Sequence, residues 1–322
     1  MHLDKLIQKQ RNLENIYLKV NNDKNILLID IMKLNKKMFF YVNNAILNKN
    51  LINGLKYEYD VRNPLIHEKT KISENVFFKK IKNFFVKERQ LWIYLTEEQK
   101  YSTDSYSRYE KYILKNISKV KADFITIGTR ALKFCQDNNL NILKSFTEND
   151  KKNNLAAKLT QIIKILYTDD NYSSAYFVIN SNKNFEGAFN ILPIKNFNVH
   201  KLLGIDENNS TKNIKNFKIY PSIEDFVDTE INIFLENAIH SLIIESSFYS
   251  AKTALVTTNK IIKDLDESLL KLNKKITHIK REKEVEELML ITRKDSFLNF
   301  DNNKVTKTVR SQEDKMLEVA NE

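Results

Sequence analysis

The chain has 322 residues, 42% of them hydrophobic, which suffices for one large domain or two modest ones with real cores and argues against a disordered protein. Its one cysteine, Cys135, cannot form an internal disulfide, and no Cys/His group has zinc-ligand spacing, so we expect a reducing intracellular setting and no structural metal. No apolar run approaches the roughly 20 residues that cross a bilayer, and the N-terminus lacks an apolar signal core, so a soluble, cytoplasmic protein is expected.

The net charge of +11 comes from 52 Lys and Arg against 41 Asp and Glu. The positive residues are spread along the chain with acidic residues between them, and no block of six or more like charges occurs. This pattern is typical of a solvated surface rather than of a phosphate-binding patch. We therefore expect no nucleic-acid partner and favour an acidic protein or a membrane assembly.

The first 53 residues contain neither glycine nor proline, the residues that most often interrupt a helix. Their apolar residues recur with the spacing of a coiled-coil heptad, in which Gln10 and Lys24 are polar interruptions. The pattern predicts a coiled-coil helix over 1–53. Its apolar stripe consists of Leu3, Leu6, Leu13, Tyr17, Val20, Leu27, Ile31, Leu34, Met38 and Tyr41.

All seven glycines and prolines lie in residues 54–221, where short β-branched and aromatic runs replace the heptads. Alternating strands and helices are predicted there, with strands at 91–95, 123–127 and 175–179 and helices at 105–120, 129–136 and 155–167. This alternation predicts a central Rossmann-like α/β domain with a mostly parallel sheet. The Asn- and Lys-rich segment 181–221 is expected to lead back to a long helix.

After Pro221 the chain again lacks glycine and proline, which predicts a C-terminal coiled-coil helix over 222–297 and a polar extension over 298–322. The apolar stripe of this helix consists of Leu255, Ile262, Leu265, Leu269, Leu272, Ile276 and Ile279. One helix over 238–291 would span about 80 Å, roughly twice the width of a compact domain, so it is expected to leave its domain. The N-terminal stripe is the expected antiparallel partner. A helical bundle with undetected turns is the alternative.

The segment RNPLIH, residues 62–67, has the arginine-to-histidine spacing of HEPN-type ribonucleases, in which Arg and His on one helix face act on a phosphodiester. Pro64 would lie inside that helix, where proline removes a hydrogen bond at a cost of roughly 3 kcal/mol. We therefore favour a turn that begins at Asn63 and Pro64. RNA cleavage that depends on Arg62 and His67 is the enzyme alternative.

Isolated residues elsewhere are weaker candidates for chemistry. Gly128 follows a predicted strand and precedes a helix, where α/β folds bind phosphates, but a single glycine indicates a tight turn. Cys135 is expected to be packed, and His278 to lie on a solvated face. No carboxylate pair, Ser/His/Asp set or metal cluster stands out, so we expect no catalytic residue, cofactor or small-molecule substrate in this chain.

Four short segments stand in order along the chain, namely IGTRALKFC at 127–135, YFVINSNKNF at 176–185, NILPI at 190–194 and IYPSIEDF at 219–226. In the same order they resemble the IGxKGxxFF element, the second strand, the LLPL turn and the YEPS segment of the γ subunit of F-type rotary ATPases. Glu245 falls at the glutamate of the family's ES element. The resemblance covers roughly residues 3–292 and implies two long antiparallel helices joined to a central α/β domain.

Two parts of the chain depart from the family pattern. TEEQKYSTDS, residues 96–105, stands where the family has DRGLCGGLN and contains none of its glycines. The family's ARMxAMxxATxNA element fits in two registers, one reaching Ala254 and Ile262 and the other aligning Thr257, Asn259, Ile279 and Glu282. With these departures, the resemblance implies a divergent, mycoplasma-like paralogue in a specialised motor, such as one that powers gliding.

The resemblance implies a non-catalytic central shaft inside a hexameric ring of alpha-like and beta-like subunits, which hold the ATP and Mg and whose hydrolysis or synthesis of ATP is coupled to rotation. An epsilon-like subunit or a membrane-linked sector is implied as a further partner, on a membrane-associated complex. A coiled-coil scaffold or adaptor without a motor is the alternative. Basic side chains are expected to meet acidic loops of the ring, namely Lys271, Lys274, Lys275, Lys280 and Arg281. Apolar side chains are expected to run in an apolar sleeve, namely Val285, Leu288, Leu290 and Ile291.

Overall fold

The structure, a computed structural model, describes residues 2–59, 61, 63–66, 89–98, 104–118, 120–147, 154–169, 172–183, 187–204 and 218–319, with the helical backbone alone at 294–319. In chain order its elements are helix α1 (His2–Tyr59), strand β1 (Arg89–Leu95), helix α2 (Ser107–Ile117), strand β2 (Lys121–Ile127), helix α3 (Thr129–Asp137), strand β3 (Asn141–Phe146), helix α4 (Leu155–Asp169), strand β4 (Ser174–Val178), strand β5 (Phe189–Leu192), 3-10 turns at Ile194–Asn196 and Val199–Leu202, and helix α5 (Ile223–Val319).

The chain divides into two compact units. Unit 1 consists of Met1–Lys24 and Thr258–Glu322, and unit 2 of Asn25–Thr257. Helices α1 and α5 therefore each contribute residues to both units. The domain boundaries predicted from the glycine and proline positions stay predictions.

Unit 2 contains a five-stranded sheet in the order β3-β2-β1-β4-β5. Strand β1 pairs in parallel with β2 and β4, β2 pairs in parallel with β3, and β5 is antiparallel to β4. The predicted fold class, a mostly parallel Rossmann-like sheet together with long terminal helices, is confirmed. The order of the strands reverses its direction between β1 and β4. In open α/β sheets the ligand-binding crevice lies at such a point, outside the carboxyl ends of the strands.

The central strands form because their residues are buried on both faces. Residues 91–95 of β1 and 123–127 of β2 are buried throughout, as near-continuous apolar runs in parallel sheets require. The predicted strands of the central region correspond to β1, β2 and β4 and the predicted helices to α2, α3 and α4, so these predictions are confirmed to within a few residues. Strands β3 and β5 were not predicted.

Helices cover both faces of the sheet. One face packs on α2 and α3, through Trp92, Tyr94, Tyr109, Ile113, Phe124, Ala131 and Cys135. The other face packs on α4 and on the parts of α1 and α5 that belong to unit 2. The buried side of α5 repeats at helical spacing through Val227, Ile231, Phe234, Leu235, Ala238, Ile239 and Leu242.

Helix α5 begins at an N-cap serine, Ser222. The Asp225 backbone N–H donates to Ser222 Oγ at 3.0 Å, and the Ser222 hydroxyl donates to Asp225 Oδ2 at 2.8 Å. The carboxylates of Glu224 and Asp225 in the first turn also favour the positive end of the helix dipole. The polar segment before the helix thus fixes its starting point.

Within the described residues, no helix is long and apolar enough to span a bilayer.

Candidate functional site

The predicted shaft-core residues lie on the protected sides of the two long helices. Leu272 and Ile276 are 9% and 5% exposed, and the fully buried Thr258 extends the same stripe. Gln10 and Lys24, the polar residues of the N-terminal heptad, are half-buried as well. The remaining predicted core residues are half-buried, namely Leu6, Leu13, Val20, Leu27, Leu255, Ile262, Leu265, Leu269 and Ile279. Their function in a shaft stays a prediction.

Unit 1 brings the beginning of α1 beside a late part of α5. The pKa of Asp4 lies below its ordinary value, chiefly through the positively charged chain terminus, and the positive charge of Lys283 lowers it further. Lys283 therefore lies near Asp4, while Leu272 and Ile276, earlier in α5, are already buried. The beginning of α1 and a late part of α5 are therefore neighbours in unit 1.

Unit 2 contains an antiparallel pairing of the same two helices. The Tyr41 ring stacks on His240 with 4.5 Å between ring centroids, and Asn48 Nδ2 donates to Glu230 Oε2 at 2.7 Å. As the residue number rises along α1, that of its partner falls along α5. Burial lowers the pKa of His240, so the imidazole that stacks on Tyr41 is held toward its neutral form.

The predicted ring contacts lie on an exposed part of α5 in unit 1. Lys271, Lys274, Lys275, Lys280 and Arg281 are all exposed. The apolar members are exposed too, with Val285 at 50%, Leu288 at 63%, Leu290 at 65% and Ile291 at 58%. Large apolar side chains exposed in a group indicate a surface that meets a partner.

Sequence reasoning missed two exposed apolar residues beside these contacts. Leu270 is 60% exposed and Met289 is 67% exposed, and both line an open groove of about 1010 Å³ with Lys274, Arg281 and Val285. Neither residue lies on the heptad stripe, so a stripe-based analysis passes over them. The exposed apolar and basic side chains therefore share one surface.

The glutamate assigned by the family resemblance is a buried anchor for α5. Glu245 is 1% exposed, and its Oε1 accepts a hydrogen bond from the Ser181 hydroxyl at 2.5 Å. The backbone N–H and carbonyl of Ser181 are both bound to the Tyr109 hydroxyl, at 2.9 and 2.6 Å. Burial raises the pKa of Glu245. Two residues further on, the Ser247 hydroxyl donates to Glu97 Oε1 at 2.6 Å. These bonds join α5 to the loops that follow β1 and β4.

Gly128 supplies the turn that the sequence predicted. Its φ is +96°, and a Cβ placed there would lie 2.5 Å from the carbonyl oxygen of Thr96. The nearby Arg130 is already paired, with Nε 2.8 Å from Glu110 Oε1 and Nη2 2.9 Å from Asp104 Oδ1. A guanidinium held by two carboxylates is poorly placed to bind a phosphate. The close approach of the Thr96 carbonyl is therefore the reason for a glycine at position 128.

The other isolated candidates also have structural explanations. Cys135 is buried, and burial raises the pKa of its thiol to about 12, which opposes nucleophilic reactivity. His278 is exposed, with Nδ1 3.2 Å from Glu282 Oε1 one helical turn away. Among the described residues no group of three or more His, Cys, Asp or Glu is placed to hold a metal ion.

The RNPLIH segment forms a turn where the structure describes it. The Ile66 N–H donates to the Asn63 carbonyl at 3.1 Å, and the Leu65 N–H donates to Asn63 Oδ1 at 2.9 Å. The favoured turn is therefore confirmed at 63–66. Arg62 and His67, on which the ribonuclease alternative depends, lie outside the described residues.

The sheet order and the long terminal helices define an α/β protein with coiled-coil helices. No model of a known protein family matches the sequence. The uncharacterized protein UU050 of Ureaplasma parvum serovar 3 is 48% identical over 307 residues, which cover 94% of this chain and 97% of that protein. The chain therefore belongs to the same family as UU050.

Similar solved structures are chains of mitochondrial ATP synthases. A rotor chain from Euglena gracilis in rotational state 1 is 11% identical with a TM-score of 0.45, over 87% of this chain and 98% of that chain. A chain of the OSCP/F1/c-ring assembly from the same organism in rotational state 3 is 11% identical with a TM-score of 0.47, over 92% and 94%. A central stalk/c-ring chain from Tetrahymena thermophila is 12% identical with a TM-score of 0.40, over 73% and 99%. At these scores the likeness establishes neither fold nor function.

Proposed function

We propose that this chain is the central shaft of an F-type-like rotary ATPase. The observation that carries the proposal is the exposed segment of α5 in unit 1, where basic and apolar side chains lie together beyond a buried heptad stripe. The ordered set of γ-like segments, from IGTRALKFC to IYPSIEDF, supports it. A surface of this kind suits a partner with acidic loops and an apolar sleeve.

The shaft itself hydrolyses nothing in this proposal. ATP and Mg are bound by a surrounding hexameric ring of alpha-like and beta-like subunits, and rotation couples to their turnover. A shaft shifts a ring subunit between conformations only if it contacts those conformations differently. Helices without interior breaks are stiff enough to transmit torque, and residues 222–322 contain no glycine or proline.

We further propose which partners join the motor and which membrane-associated complex it belongs to. An epsilon-like subunit or a membrane-linked sector joins the shaft at its other end, on the cytoplasmic side of a membrane-associated complex. The turnover serves a specialised task, such as gliding, in place of or besides ATP synthesis. Contacts with the ring have to be weak and interchangeable to permit rotation, so no single deep hot spot is expected.

Purification of the native complex through a tag on this chain tests the proposal. We expect two homologous ATP-binding subunits to copurify in the excess required by a hexameric ring around one shaft. A variant with Val285, Leu288 and Ile291 each changed to Glu should lose the ring. Val256→Glu is the matched control, because Val256 is 64% exposed on the same helix but lies in unit 2, and it should keep the ring.

The coiled-coil scaffold is the outcome that would contradict the proposal. A tagged chain that forms a homodimer through residues 255–279 and retains no ATP-binding subunits would show an adaptor without a motor. Equal losses in the triple variant and in Val256→Glu would remove the assigned role of the exposed segment of α5.

A further inference from the structure

Helix α1 has a second apolar face in unit 2, opposite the side that packs on the rest of that unit. Its large side chains are about half exposed: Ile26 at 56%, Ile29 at 52%, Met32 at 63%, Phe39 at 56%, Phe40 at 59% and Leu47 at 51%. The protected side of the same segment is formed by residues such as Leu34, Met38 and Val42. We call the six exposed residues, Ile26, Ile29, Met32, Phe39, Phe40 and Leu47, the outer face of α1.

The spacing of the outer face is helical. Ile26, Ile29 and Met32 are three residues apart, Phe39 follows Met32 by seven, and Leu47 follows Phe40 by seven. A surface helix normally has polar residues on the side away from its core. Taking roughly 200 Å² for a large side chain, six half-exposed ones present on the order of 600 Å² of apolar surface, at the upper limit for a protein without a partner.

The charges around the outer face are mostly positive. Lys33, Lys36 and Lys37 are exposed among its apolar residues. Asp30 is the only acidic residue in the sequence from Asn25 to Asn50. A bound molecule must therefore supply both apolar side chains and negative charge.

We propose that the outer face of α1 binds an amphipathic helix of another protein whose apolar stripe is flanked by Asp and Glu. The seven-residue repeats match the spacing at which two helices interlock side chains, which a lipid surface does not require. A second copy of this chain would place lysines against lysines. The exposed area is about three quarters of the roughly 800 Å² that each partner contributes to a standard interface. The proposal is independent of the rotary function.

Selection from a library of displayed helices tests the proposal on the full-length chain. The library fixes an apolar stripe at heptad spacing and encodes Glu or Lys with equal frequency at the flanking positions. We expect selected helices to be enriched in Glu and to bind more weakly at high salt.

Substitutions on the chain then locate the site. Binding of a selected helix should weaken about tenfold or more with Phe40→Glu, and also with the double change Lys33→Glu and Lys36→Glu. Val256→Glu should leave it unchanged, since Val256 is 64% exposed, close to the 59% of Phe40, but lies on α5.

Four results would overturn the proposal. Selected helices with Lys flanks, or none at all, would exclude an acidic helix. Binding to phosphatidylglycerol/phosphatidylcholine vesicles that Phe40→Glu abolishes would assign the face to a membrane. Self-association abolished by the same change would assign it to a second copy. A large loss of thermal stability in Phe40→Glu without any partner would show that the chain itself covers the face.

Discussion

Two leucines on one turn of α5 give a matched test of the coiled coil in unit 1. Leu272 is 9% exposed and Leu270 is 60% exposed. Truncation of a buried leucine to alanine costs about 2–5 kcal/mol, and the low end applies here because a helix pair encloses its core less fully than a globular domain does. Leu272→Ala should therefore cost about 2 kcal/mol. Leu270→Ala should change stability by less than about 0.5 kcal/mol.

Native-state hydrogen exchange is the suitable assay, because the two units need not unfold together. A loss of 2 kcal/mol in the free energy of opening should speed exchange of the amides around residue 272 by about 30-fold. The difference in helix propensity between leucine and alanine is the same at both positions, so it cancels in the comparison.

The comparison of the two variants also defines the results that would refute this reasoning. If Leu270→Ala and Leu272→Ala accelerate exchange equally, the heptad stripe is not the buried side of α5. If neither has an effect, residues 258–279 are not packed against the beginning of α1, and the shaft loses its structural basis.

Three further predictions concern unit 2. Burial raises the pKa of Glu245, so the folded chain keeps this proton over a pH range in which the unfolded chain has lost it, and this group makes stability fall as the pH rises through that range. Compared with the unchanged protein, Glu245→Gln should therefore lack this contribution to the pH dependence of the midpoint of thermal unfolding between about pH 4 and pH 8. Gly128→Ala should cost at least about 2 kcal/mol by urea unfolding, since its Cβ would meet the Thr96 carbonyl at 2.5 Å and its φ is +96°. Asp123→Ala should cost about 3 kcal/mol in the same assay, because the buried carboxylate of Asp123 lies 2.6 Å from Arg89 Nε and accepts hydrogen bonds from the Tyr172 hydroxyl at 2.7 Å and from Asn141 Nδ2 at 2.5 Å. A loss below about 1 kcal/mol would show that this carboxylate does not hold the neighbouring strands together.

Features set by regular spacing could be predicted from the sequence. The heptad positions on both long helices are the less exposed ones, and even the polar Gln10 and Lys24 follow the pattern. The central strands were found because parallel strands buried on both faces have continuous apolar runs. The absence of glycine and proline after Pro221 predicted a helix from residue 222, and α5 begins at Ile223.

Features that depend on distant contacts could not be predicted. Strand β3 lies at the sheet edge with an exposed Leu143 and buries only Phe146, so its sequence carries little strand signal. Strand β5 has four residues and is followed directly by Pro193. The bond between Glu245 and Ser181 joins residues 64 apart in the chain. A sequence pattern gives no sign of such a pair.

The apolar residues of the outer face of α1 show a further limit. Phe39 and Phe40 stand between Met38 and Tyr41, which belong to the heptad stripe, so an apolar run of four residues hides two different faces. The heptad spacing assigns Met38 to the stripe, and the burial in the structure adds that Phe40, 59% exposed, belongs to a second apolar face.

A density map of the native complex, purified through a tag on this chain, tests the central claim most directly. We predict that α5 lies along the axis of a six-membered ring, with α1 antiparallel beside it and residues 285–291 inside the ring. A map in which the chain lies outside any ring, or in which its first and last helices lie apart, would contradict the account.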